Sequence, residues 1–256
     1  MADRRTRLDI ADGVATITLV RPEKRNALDA QTVAELTQAM QDCAEDETVR
    51  LIALRGEGRD FCAGADLDQL ARMAATTDPL ENLDDAAALG RLFILMRRTE
   101  KPIVAIVHGN AIAGGAGLAM AADLILAHEN AVFGFPEIGI GFVPAMVTAL
   151  LRRSIGEKKA FELIATGRRF GAADAHALGL VARVFAANEF DMATHSSLRE
   201  LVVVSASALR LCKRLLYGID NLAFEDAIAR GAEINVIARA TPDCQRGVRM
   251  FLDRNR

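Results

Sequence analysis

Three short segments of this chain hold residue types whose spacing can do chemistry. They are FCAGADL (61–67), IAGGAGLA (112–119) and FGFPEIGIG (133–141). The first two place Gly and Ala where a strand pattern gives way to a helix pattern, so backbone N–H groups can face outward unobstructed by side chains. Two such junctions can each aim one N–H at a shared carbonyl oxygen and form an oxyanion hole. Gly and Ala at these places also serve close helix–strand packing, and the segments alone leave both roles open. Neither is a dinucleotide fingerprint, and no Walker lysine follows. In the third segment Glu137 stands among Phe133, Phe135, Ile138, Ile140 and Phe142. A carboxylate desolvated there has its pKa raised toward values useful for moving protons near neutrality. The other reading is a loop glutamate that faces solvent.

Other chemistries find little support. His108, His128, His176 and His195 form no metal-ligand spacing, no G-x-S-x-G elbow exists, and Cys43, Cys62, Cys212 and Cys244 lack CxxC spacing. No metal site is expected, and the cysteines read as small core hydrophobes in a reducing cytoplasm. Lys24 and Arg25 read as a solvated face, or as the border of an anionic ligand beside the first helix.

These residues need a scaffold, and 256 residues with 51% hydrophobic content suffice for one globular domain with a large core. A net charge of −3, no Trp and a single Tyr argue against a nucleic-acid binder with a basic, base-stacking face. No signal peptide and no membrane span is expected, since every apolar run is broken early. Residues 6–20 predict a hairpin turning at Asp12-Gly13. Asp29 predicts the cap of a helix with Val33, Leu36, Met40 and Cys43 on its apolar face. Strands are expected at 49–56, at 103–109 and from Asp123. Residues 67–98 predict two helices joined by the polar TTDPLEN. From about 188 onward the pattern is helical, with a break at Thr241-Pro242.

Taken together, RPEKRNAL (21–28), FCAGADL (61–67), KPIVAIVHGNAIAGGAGLAMAADL (101–124), FGFPEIGIGFVP (133–144) and TGRRFGAADAHALGLV (166–181) resemble the enoyl-CoA hydratase/isomerase (crotonase) superfamily in order and approximate spacing. The ending TPDCQRGVRMFLDR (241–254) is similar as well. The resemblance implies an α/β fold, a crotonase-like spiral of repeated ββα units over residues 1–190. It also implies a C-terminal α-helical trimerisation region over 191–256, in a homotrimer or dimer of trimers. It implies an acyl-CoA substrate, with coenzyme A part of the substrate and no separate cofactor. It assigns the two N–H donors to Ala65 and Gly114 and the acid/base to Glu137. It places Lys24, Arg25, Ala27, Ala63, Asp66, Leu67 and Asp68 along CoA, Asp68 standing where many relatives carry Lys. Arg254 matches a basic residue that in relatives reaches a neighbouring subunit's CoA.

One departure stands out. Hydratases of this family carry two glutamates, and the position of the first is Gly117 here. Glu137, twenty residues on, is the second. Gly117 is expected to leave space for a water or an acyl branch, and Glu81, Asp84 or Asp85 is a possible replacement carboxylate. A hydratase working through Glu137 alone is the leading expectation. A Δ3,Δ2-enoyl-CoA isomerase and a non-catalytic acyl-CoA-binding trimer are the alternatives.

Overall fold

The computed structural model describes residues 4–75 and 79–254. The chain opens with β1 (Thr6–Ala11) and β2 (Val14–Leu19), an antiparallel hairpin turning at Asp12-Gly13 as the sequence predicts. Asp29 accepts from the Thr32 N–H at 2.7 Å and so caps α1 (Ala30–Glu45). Then follow β3 (Leu51–Gly56), α2 (Leu67–Ala75), α3 (Pro79–Arg98), β4 (Ile103–Val107), β5 (Asn110–Ile112), α4 (Gly114–Ala121), β6 (Leu124–His128) and β7 (Val132–Gly134). A 3₁₀ turn at Pro136–Ile140 leads to α5 (Ala145–Ile155), α6 (Glu157–Thr166), β8 (Arg169–Gly171), α7 (Ala172–Ala177) and β9 (Arg183–Phe185). Four helices end the chain: α8 (Phe190–Val202), α9 (Ala206–Gly218), α10 (Phe224–Ala240) and α11 (Pro242–Arg254).

The large sheet runs β1-β2-β3-β4-β6-β9, parallel from β2 onward, and a small sheet runs β5-β7-β8. Parallel strands are covered on both faces, and the side-chain alternation shows it. Ile52, Leu54, Ile103 and Ala105 face the main core, while Leu51, Ala53, Val104 and Ile106 face Phe190 and Leu198 of α8. Strands β5, β7, β8 and β9 escape a sequence reading because each has three residues, too few for a period to show. The expected break at TTDPLEN is shorter than its composition suggests, since Pro79 already opens α3, where a missing N–H costs nothing. Residues 76–78 of that segment lie outside the described residues.

Beyond the packing of α8, one buried cation ties α9 to the core. Lys213 on α9 donates to the carbonyls of Met96 and Lys101, each at 3.0 Å, and lies 2.8 Å from Asp123 Oδ2. Tyr217 donates to Asp123 Oδ1 at 2.7 Å, and the Arg97 guanidinium lies over the Tyr217 ring. Among the described residues no helix is long and apolar enough to cross a membrane.

Candidate active site

Two glycine-rich junctions come together because the loop before α2 is bridged to the segment that leads into α4. Leu28 N–H donates to Gly64 O and Asp66 N–H to Leu28 O, a short parallel bridge. On the other side Cys62 bridges Ala111, and Ala113 N–H donates to Gly134 O. Gly64 has φ +90°, and a Cβ there would sit 2.8 Å from Ile112 O and 3.5 Å from Gly114 N. Only glycine fits so close an approach in this conformation. Ala113 also has positive φ, +54°, as it turns the chain into α4. That strain of roughly 1–3 kcal/mol is held by the Gly134 bond. It leaves Gly114 at the first position of α4, whose N–H has no partner within the helix. Among the described residues neither Ala65 N–H nor Gly114 N–H meets a protein acceptor.

Both amides open into a cavity of about 830 Å³ that also holds Glu137. The 3₁₀ turn places this carboxyl, and Glu137 is only 9% exposed. Its Oε2 is buried without a hydrogen-bond partner. Burial raises its pKa above the usual carboxylate range, opposed only in part by its own backbone N–H. Ile140, Phe142, Val143 and Met146 make the wall around it apolar. The cavity therefore joins two free donors to one desolvated carboxyl. That set can polarise a carbonyl, hold the enolate that forms when its α-carbon loses or gains a proton, and shuttle that proton. Cys62, beside the hole, is no nucleophile, because full burial pushes its thiol up to about 12. Among the described residues no cluster of His, Cys, Asp and Glu can hold a metal ion.

Of the residues expected along a ligand, Ala63, Ala65, Leu67, Gly114 and Glu137 line this cavity, and the others lie outside its wall. Asp66 is buried, caps α2 by accepting from the Asp68 N–H at 2.8 Å, and lies 2.7 Å from Arg21 Nη1. Burial alone would raise its pKa, but those amides and Arg21 more than offset this and hold it low. Ala27 is buried below the loop. Arg25 is tied to the buried Asp60 at 2.7 Å, and Lys24 pairs with Asp68 at 3.0 Å on the exposed rim beside Leu67 and Gln69. Arg254 ends α11, exposed and away from the cavity wall.

Gly117 requires a correction. It leaves no space for a water or a branch. A Cβ there would meet Val147 Cγ2 at 2.7 Å and Phe93 Cζ at 2.8 Å, and Gly117 is absent from the cavity wall. Phe93 and Val147 fill the direction in which a second carboxylate would point. Of the proposed replacements, Asp85 lines the cavity and accepts from the Gln69 amide, whose Oε1 in turn accepts from Ala30 N–H at 2.8 Å. Asp84 is exposed outside the wall, and the Glu81 side chain lies outside the described residues.

A sequence reading misses the polar frame of the hole. Asn26, at φ +55°, accepts from Arg21 N–H and donates to the carbonyls of Glu57 and Asp60. Asp60 in turn accepts from Arg25 and from Asn110 N–H. The one available signal is Asn26, an uncharged polar residue between a charged run and the apolar Ala27-Leu28.

Comparison with known proteins gives a consistent result. The family described as Enoyl-CoA hydratase/isomerase matches residues 9–256. A Thermus thermophilus protein named as an enoyl-CoA hydratase is 39% identical over 94% of this chain and 95% of its own length. A Mycobacterium bovis protein named likewise is 35% identical over 94% of this chain and 92% of its own. The crystal structure of an enoyl-CoA hydratase from Mycobacterium smegmatis superposes with a TM-score of 0.94. It is 32% identical, with 98% of this chain and 97% of that one covered.

Proposed function

The chain belongs to the enoyl-CoA hydratase/isomerase family, and from that premise we propose that it hydrates an α,β-unsaturated acyl-CoA through Glu137 alone. One observation carries this reading: Ala65, Gly114 and Glu137 open into one cavity, with Glu137 Oε2 buried and unpartnered. The thioester oxygen takes the Ala65 and Gly114 N–H groups. Glu137 as carboxylate accepts a proton from water as the water oxygen bonds to C3. Electrons move into the thioester as an enolate, and Glu137 returns the proton to C2. The net change is addition of H and OH across the double bond, with the carboxylate restored.

Coenzyme A enters from the rim of Lys24, Arg25 and Asp68, beside the cavity residues Ala63 and Leu67. It is part of the substrate, and no separate cofactor is invoked. The chain assembles as a homotrimer or dimer of trimers, with residues 191–256 at the subunit contacts and Arg254 near a neighbour's CoA. Four free cysteines suit action in a reducing cytoplasm.

Phe93 and Val147 closing over Gly117 favour a second reading. With no carboxylate on that side, Glu137 can take a proton from C2 of a 3-enoyl-CoA and deliver it to C4, which is Δ3,Δ2 isomerisation. Crotonyl-CoA and a 3-enoyl-CoA assayed side by side decide. Hydration bleaches the conjugated thioester absorbance of the first, whereas isomerisation raises absorbance from the second. Bleaching of crotonyl-CoA is the expected result, and a folded protein that changes neither substrate overturns both readings.

A further inference from the structure

The cavity does not stop at the hole. It continues between α1 and α3, with Ala34, Gln38 and Gln41 on one wall and Ala88, Arg91 and Leu95 on the other. The two helices run in the same direction. Gln69 links Ala30 to Asp85 at their starts, and Lys101 Nζ holds the carbonyls of Cys43 and Asp46 where they end. Residues 88, 91 and 95 share one helical stripe, as do 34, 38 and 41. From Ala30 to Gln41, α1 advances about 16 Å.

Arg91 is the only cation in the wall among the described residues. Its side chain is exposed, and among the described residues it meets no carboxylate. The wall's own carboxylates are otherwise engaged. Asp29 pairs with Arg21, Asp85 accepts from Gln69, and Glu137 is desolvated at the apolar end. A free guanidinium beside an apolar channel offers two parallel donors to a planar anion, a geometry that matches a carboxylate.

We propose that this groove receives the far end of the acyl chain and that Arg91 binds a terminal carboxylate there, making the substrate a dicarboxylic enoyl-CoA. The proposal rests on the acyl-CoA reading above. The phosphates of CoA are the other anions within the same ligand, and the test separates them because they are common to every CoA thioester.

The experiment compares kcat/KM for 2-hexenoyl-CoA with that for the same six-carbon enoyl-CoA ending in a carboxylate at C6. Wild type, Arg91→Met and Arg91→Lys are assayed. Wild type is expected to favour the carboxylate substrate. Arg91→Met is expected to lower that preference by about tenfold or more, through loss on the carboxylate substrate. Arg91→Lys keeps the charge but not the fork, and falls between. No preference in wild type, or an equal loss on both substrates in Arg91→Met, overturns the proposal, the latter by assigning Arg91 to CoA or to the fold. A folded wild type inactive on both substrates overturns the acyl-CoA reading itself.

Discussion

Glu137 illustrates how one side chain can be costly to the fold and necessary to the chemistry. Its folded-state pKa lies above that of the unfolded chain because burial penalises the charged form. Below about pH 4, where both states are protonated, the group costs the fold nothing. As pH rises through the raised folded pKa, the native state must ionise a buried carboxyl and loses stability relative to the unfolded chain. Glu137→Gln removes that penalty. The variant is therefore expected to melt at a higher temperature than wild type at pH 8, with the difference closing toward pH 4. The same variant is expected to lose turnover by about 10²–10⁴, the range for a general acid–base group. Thermal melts at both pH values and a steady-state assay check the two halves. An unchanged melting temperature at pH 8 contradicts the desolvated carboxyl, and unchanged turnover removes Glu137 from the mechanism. In wild type the acid limb of the rate profile is expected above the ordinary carboxylate range, because the reaction starts from the ionised form.

Helix α4 is where element packing decides what chemistry the site can hold. Its glycine at position 117 admits α3 through Phe93 and α5 through Val147. Gly117→Glu gains about 1 kcal/mol in helix propensity. It also overpacks the contact, at about 1–3 kcal/mol, and buries a carboxylate without a partner. The expected outcome is a lower melting temperature and no gain in crotonyl-CoA hydration. A folded variant that hydrates faster shows instead that α3 yields. This packing was not legible in the sequence. Glu137 within its apolar turn, the Ala65 and Gly114 junctions, the Asp29 cap and the first hairpin were legible, because each rests on local residue types. What lies opposite Gly117 depends on Phe93 and Val147, 24 residues before it and 30 after. The resemblance places Asp66 along CoA, and what it does not reveal is the ion pair with Arg21, 45 residues earlier, that buries this carboxylate at the start of α2.

For the whole molecule, the surface of the last helices bears on assembly. Leu216, Phe224, Ile228, Val236 and Met250 are each more than half exposed. Exposed apolar side chains in this number suit an interaction site, and covering them with further copies of the chain would fit a closed symmetric oligomer. Light scattering at micromolar concentration is expected to give three or six times the mass of one chain. A monomeric mass refutes this and removes Arg254 from a neighbour's site. The same helices bring Lys213 to Asp123 and to the carbonyls of Met96 and Lys101, and this has a consequence for the order in which the protein is made. Lys213 leaves the ribosome ninety residues after Asp123, roughly 5–20 seconds later at ordinary rates of synthesis. Through that interval Asp123 and the carbonyls of Met96 and Lys101, at the end of α3 and beside the sheet, are without their cation. Release of the C-terminal helices is then the event that completes the core, and a chain cut short before α9 remains marked as unfinished by its own unneutralised charge.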